Sequence, residues 1–266
     1  MGGAVATGAA EARADPASRL ELARGLLRRA EGRTENVQPL AVPVPGLDGR
    51  ILPVAEPLAG LLPGGGLRRG TTVALPYAPA TTSLVLALLA ESSAEGAWVG
   101  VVGKPELGLL AAAEAGMQLE RMALVPHPGT DLLGVTTALL DGMDVVVVAL
   151  GGRPAVRAAD RRRLEARARQ RGAVLVALGQ WAGADVELSC AEARWHGLAA
   201  GAGRLRAREV RVRMRGRGIA PGGRSARMLL PARGGRVTAA SPVASSLVAS
   251  SLVAADTAPD TVQAVG

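Results

Sequence analysis

Arginine dominates the side chains that could do chemistry. Of 31 basic residues only Lys104 is a lysine. One run, RLRAREVRVRMRGR, places Arg204, Arg206, Arg208, Arg211, Arg213, Arg215 and Arg217 within a short stretch. Val210, Val212 and Met214 alternate with Arg211, Arg213 and Arg215, the pattern of a strand with one buried face and one arginine face. Guanidinium forks suit phosphate oxygens. A row of them about 7 Å apart could follow a nucleic-acid backbone, so single-stranded DNA is a candidate ligand. Arg204, Arg206 and Arg208 fall on the opposite phase, and a bulge near Glu209 is needed to align them. The same row also reads as a solvated edge strand that resists aggregation. Aromatic residues do not interleave with it, which leaves base stacking little support.

The positive charge is local. The 266 residues carry a formal net charge of +8, but residues 1–192 are net −1, residues 193–236 net +11 and residues 237–266 net −2. Other chemistries have few parts. Cys190 is the single cysteine, which excludes an internal disulfide and a cysteine-based zinc site and fits a reduced, cytoplasmic setting. It is expected to be buried and inert. His127, between two prolines, and His196, after Trp195, have no carboxylate or nucleophile at a recognisable spacing. No metal and no cofactor is expected. Trp98 and Trp195 lie in strand patterns and are expected in the core. Arg161-Arg162-Arg163 reads as a solvated helix face. No segment approaches the ~18 apolar residues of a membrane span, and the first residues do not read as a signal peptide, so no membrane contact is expected.

The elements that must position these residues follow from periodicity. Residues 1–36 form an arm with a helix expected over Ser18–Arg33, where Leu20, Ala23, Leu26, Leu27 and Ala30 make one apolar stripe. Residues 37–69, rich in Pro and Gly, read as an extended connector. From Gly70 strands alternate with helices. Strands are expected at Thr71–Leu75, Ala97–Val102, Arg121–Val125, Asp144–Leu150 and Ala173–Leu178. Helices are expected at Thr82–Glu95, Glu106–Ala115, Asp131–Leu140 and Ala155–Arg171. That alternation implies βαβ units and a parallel sheet. Four consecutive valines in the fourth strand mark it as covered on both faces. Asp185–Ser189, Glu192–Leu198, Arg204–Met214 and Arg227–Leu230 then read as antiparallel strands extending one edge of the core, residues 70–237. Residues 238–266 repeat Val-Ala-Ser-Ser-Leu and read as a disordered, low-complexity tail.

The run PGGGLRRGTTVAL from Pro63, with the loop and apolar helix after it, resembles the start of a RecA core. The strings GAWVGVVGKPELGLLAAAEAGMQLERMALVPHPG, LLDGMDVVVVAL, RARQRGAVLVAL and RWHGLAAGAGRLR resemble the actinobacterial ImuA′ family, RecA-like accessory factors of a mutagenic translesion polymerase complex. The resemblance covers roughly residues 18–232. It implies a RecA-like α/β fold, a parallel sheet flanked by helices with antiparallel C-terminal strands and an N-terminal helical arm.

The resemblance also locates a nucleotide site that has lost its parts. A phosphate loop reads G-x-x-x-x-G-K-[ST] between strand and helix. Here Pro76 and Thr81 stand in the glycine places, Thr82 in the lysine place and Ser83 in the last. Pro76 and Pro79 also lack the N–H donors of a phosphate nest. Ser83 reads as a helix N-cap. Ala149 stands where a RecA-like strand ends in a metal-holding Asp. Glu106 lies about where a catalytic Glu would sit, and also reads as a first-turn helix acid. The implied protein is not an enzyme. The implied partners are ImuB, an inactive Y-family polymerase homologue, and through it an error-prone C-family polymerase. The arm, with Leu20, Ala23, Leu26 and Leu27, would dock on RecA or on a second copy. The alternatives are a SulA-like division inhibitor binding FtsZ and a RecA-binding modulator of recombination.

Overall fold

Val145–Ala149 places all five side chains in the core, as a strand covered on both faces must. Val145 and Val147 join one apolar layer, Val146 and Val148 the other. The computed structural model describes residues 49–151, 156–199 and 202–240. The helix expected over Ser18–Arg33 and the tail beyond residue 240 lie outside the described residues.

The parallel strands are β3 (Thr72–Leu75), β4 (Val99–Val102), β5 (Met122–Val125), β6 (Val145–Ala149) and β7 (Val174–Leu178). The antiparallel strands are β8 (Val186–Ala199), β9 (Ala202–Gly216), β10 (Arg224–Leu229) and β11 (Thr238–Ala239). The sheet order is β11-β10-β9-β8-β3-β7-β6-β4-β5, and β8 runs parallel to β3. This is the expected mixed α/β architecture. The sheet reaches two residues into the segment read as tail, because Thr238 and Ala239 pair with Leu229 and Met228.

Helices α2 (Thr81–Ala94) and α3 (Leu109–Ala115) contribute to one apolar layer, and α4 (Leu132–Leu140) and α5 (Ala158–Arg171) to the other. Leu84, Leu88 and Leu89 of α2 are almost fully buried. The inner face of the antiparallel strands, Leu188, Val210, Val212, Met214 and Met228, continues that layer. Gly172, at φ 65°, closes α5 in the left-handed conformation that glycine adopts without strain.

The connector is more structured than its prolines suggested. β1 (Ile51–Pro53) pairs with β2 (Gly66–Arg68), and α1 (Glu56–Ala59) lies between them. Pro57 sits in the first turn of α1, where a missing N–H costs nothing. Leu52, Leu58, Leu61, Leu62 and Leu67 are buried in the α2 layer. The described part of the connector, residues 49–69, thus contributes to the core. The strands expected at Asp185–Ser189 and Glu192–Leu198 are one strand, β8, with a bulge: Ala191 faces Arg211 and Arg194 faces Glu209. Glu192 has φ 55°, a region that side chains enter at a cost, and its carboxylate lies 3.1 Å from Arg211 and 3.4 Å from Arg227.

Asp141, at the end of α4, receives Arg167 through both carboxylate oxygens, one at 2.7 Å, and Arg171 at 3.2 Å. The Arg167 hydrogen bonds hold its carboxyl below the usual range. That stabilisation is present above the unfolded carboxyl value, ~3.9, and is lost as pH falls through the lower folded value. Asp141→Asn is expected to remove less than about 1 kcal/mol at neutral pH, because the pair is exposed to solvent. Its unfolding free energy is expected to converge on that of the unaltered chain as pH falls through the lowered folded value, as urea titrations across the acid range would read.

Candidate functional site

The loop Pro76–Ala80 joins β3 to α2, and its polar groups are turned on one another. The Thr81 hydroxyl donates to the Pro76 carbonyl at 2.9 Å and accepts from the Ala78 amide at 2.8 Å. The Thr81 amide donates to the Ala78 carbonyl at 3.0 Å. Pro76 and Pro79 offer no N–H, and the Ala78 and Thr81 amides are spent inside the loop, which removes four donors from any phosphate cradle there. Ser83 is not the N-cap expected of it. Ala80 holds that place without a side-chain bond, and Ser83 lies within the first turn of α2.

Ser83 has another partner. Arg208, only 6% exposed, donates to the Ser83 hydroxyl at 2.8 Å, to the Pro79 carbonyl at 2.7 Å and to the Leu230 carbonyl at 2.9 Å. Its guanidinium carbon lies 4.8 Å from the centre of the Trp195 ring. Burial draws its pKa below the ordinary arginine value. An arginine from the basic strand therefore closes the β3–α2 loop from the side. This corrects its reading as a DNA-facing residue. Its phase explains why: Arg208, Val210, Val212 and Met214 sit at steps of two and share the inward face.

The other arginines divide. Arg211, Arg213 and Arg227 gather round Glu192, at 3.1, 3.9 and 3.4 Å. Arg217 lies 3.7 Å from Asp185, whose other oxygen accepts the Thr72 amide. Arg204, Arg206 and Arg215 are exposed and have no ion pair among the described residues. The bulge expected near Glu209 lies across from it, in β8. The array is thus a row of charges interrupted by acids rather than a continuous track.

At the end of β6, Ala149 is 4% exposed and its methyl belongs to the core. Tyr77 lies over the ends of β6 and β7. Its hydroxyl stands where a Cβ on Gly151 would meet it at 3.1 Å, and its ring where a Cβ on Gly179 would meet it at 3.3 Å. Gly103, at φ 77°, lets the chain pass so close that a Cβ there would come within 2.9 Å of the Ala149 carbonyl. Lys104 is buried, with its ammonium 2.7 Å from Glu106. That hydrogen bond holds the exposed Glu106 carboxyl below its usual range. Glu106 is not a first-turn acid, because α3 begins at Leu109. Thr82 and Lys104 border an apolar cavity of about 10 Å³ beside Val147 and Leu178.

Cys190 is partly buried, and burial pushes its thiol up to about 11, so it is a poor nucleophile at neutral pH. His196 lies 3.4 Å from Glu209, and His127 is exposed. Trp98 and Trp195 are not core residues. They are 44% and 45% exposed, each beside an arginine. Among the described residues no group of three His, Cys, Asp or Glu side chains could hold a metal, and no helix is long and apolar enough to cross a membrane.

The fold is that of a RecA-like domain, and its β3–α2 loop is bonded by side chains of Thr81 and Arg208. The solved RadB recombinase has this fold, with a TM-score of 0.53 at 16% identity over 70% of this chain and 97% of that one. Residues 60–183 match the model of the MT3502 N-terminal domain. The uncharacterized protein Rv3395c of Mycobacterium tuberculosis is 47% identical over 108 residues, 40% of this chain and 52% of that protein. The chain thus spans about half the length of this relative. The antiparallel strands carrying Arg208 lie beyond the family match.

Proposed function

We propose that this protein is a non-enzymatic RecA-like adaptor of the ImuA′ type, acting in damage-induced mutagenic translesion synthesis. The observation that carries the non-enzymatic part is the closed loop: Thr81 takes the loop's own amide, Arg208 takes Ser83, and Tyr77 covers the strand ends. A nucleotide phosphate would have to displace all three, without a loop lysine or a metal-holding Asp to reward it. The match to a mycobacterial relative, together with the motif strings, supports the ImuA′ reading. Its partners would be an ImuB-type polymerase homologue and, through it, an error-prone C-family polymerase. RecA, a second copy and single-stranded DNA are further candidates.

Magnesium–ATP at millimolar concentration is expected to leave the melting temperature unchanged and to yield no phosphate release above a protein-free blank. A shift of several degrees would overturn the reading, since a ligand at about a hundred times its Kd adds about 2.7 kcal/mol. Purified chain is expected to capture the ImuB-type homologue without ATP. Capture of FtsZ alone, or a complex that demands ATP, would reject the adaptor role.

A further inference from the structure

The far part of the β8–β9 ribbon is paired on one side only. β8 meets β3 at Val186 and Glu187, and β10 covers β9 over Glu209–Met214. Beyond the first bulge, from Arg194 to Leu198, the outer backbone edge of β8 has no strand partner among the described residues, and a second register shift falls between His196 and Leu198. A two-stranded ribbon is marginal by itself in water. This one also exposes Trp195 at 45%, Leu198 at 56% and Leu205 at 52%.

Its charge is strongly positive. Arg194, Arg204 and Arg206 lie between residues 193 and 206 with no acid among them, and Glu209, opposite Arg194, already lies against His196 and Arg227. Such a surface repels a second copy of itself and attracts an acidic chain. Nucleic acid would answer the charge, but one face of Trp195 is already covered by Arg208, and leucines offer a base no stacking plane. Aliphatic side chains beside an open strand edge suit strand addition.

We propose that this edge takes up an extended acidic segment of a protein partner. The segment adds as a further strand along Arg194–Leu198, sets apolar side chains on Trp195 and Leu198, and presents carboxylates to the ribbon's arginines. The proposal deepens the adaptor reading and rests on it for the partner being a protein.

Amide hydrogen exchange of the full chain tests it with three probes: a peptide of about ten alternating valines and glutamates, an all-glutamate peptide of equal charge, and a dT oligonucleotide of about twelve nucleotides. The alternating peptide is expected to slow exchange over 194–198 roughly tenfold. Leu198→Ser with Leu205→Ser is expected to weaken its binding roughly tenfold, about 1.4 kcal/mol, with the melting temperature held because both leucines are exposed. Equal protection by the all-glutamate peptide would reduce the surface to a charge patch and overturn strand addition. Protection by the oligonucleotide alone would make it a nucleic-acid surface and overturn a protein partner. No protection by any probe overturns the proposal outright. If the chain nevertheless captures the ImuB-type homologue, the adaptor reading survives and only this surface falls.

Discussion

Arg208→Ala is expected to lower the unfolding free energy by about 3 kcal/mol. The guanidinium serves three acceptors, the Ser83 hydroxyl and the carbonyls of Pro79 and Leu230. Removing it strands polar oxygens around a buried site, at about 1–3 kcal/mol for each that water cannot reach. Relief of its own desolvation offsets part of that loss. For a domain of this size the fall corresponds to roughly 6–12 °C in melting temperature. Arg208→Lys is expected to recover little, because a single ammonium cannot reproduce the fork. Ser83→Ala is expected to cost about 1 kcal/mol and to add less than that on top of Arg208→Ala, since the two share one hydrogen bond. Urea unfolding of the three variants and the double variant reads all of this. A loss below about 0.5 kcal/mol for Arg208→Ala would mean that the contact is incidental.

Ala149→Asp, the substitution that restores the acid of a working RecA-like strand, is expected to destabilise the protein rather than to arm it. Position 149 lies in the apolar core. A carboxylate there lacks the magnesium and nucleotide that would justify it, and burial raises its pKa. Each unit of that rise costs 1.36 kcal/mol of stability at a pH where the group would otherwise ionise. If the folded value exceeds 7, the penalty at pH 7 is about 4 kcal/mol, counted from ~3.9 in the unfolded chain. The sign is opposite to that of Asp141. The penalty is absent below about pH 4 and grows as pH rises, because the unfolded state gives up its proton first. Melting curves from pH 4 to 8 are expected to diverge steadily from those of the unaltered chain. Curves that stay parallel would show that position 149 already stands in a polar setting.

The parallel half of the sheet was legible because its strands are runs of small aliphatic residues broken by helices of fitting length. Val145–Val148 and the buried α2 could have read no other way. The proline-rich connector was misread because a proline in a helix's first turn or at a strand's end breaks nothing, while the leucines between the prolines carried the packing. Periodicity tells which face a residue takes but not where the cover over that face ends. Trp195 keeps the inward phase of its partner Arg208, yet it remains half in solvent. Trp98 opens toward solvent beside Arg121. Arg208 itself was visible in principle. Counting in twos from Met214 leads to it, but the same count leads on to Arg206 and Arg204, which are exposed, so phase alone did not single it out.

The contacts of Arg208 also make a mechanical joint. One planar group is fastened to the β3–α2 loop, to the first turn of α2 and to the turn after β10, while the ribbon it grows from runs on outward. A load applied to that ribbon is therefore borne by the start of α2, and through its leucines by the centre of the molecule, rather than being absorbed in a loose arm. The β3–α2 loop and the start of α2 thus serve as the ribbon's anchor point.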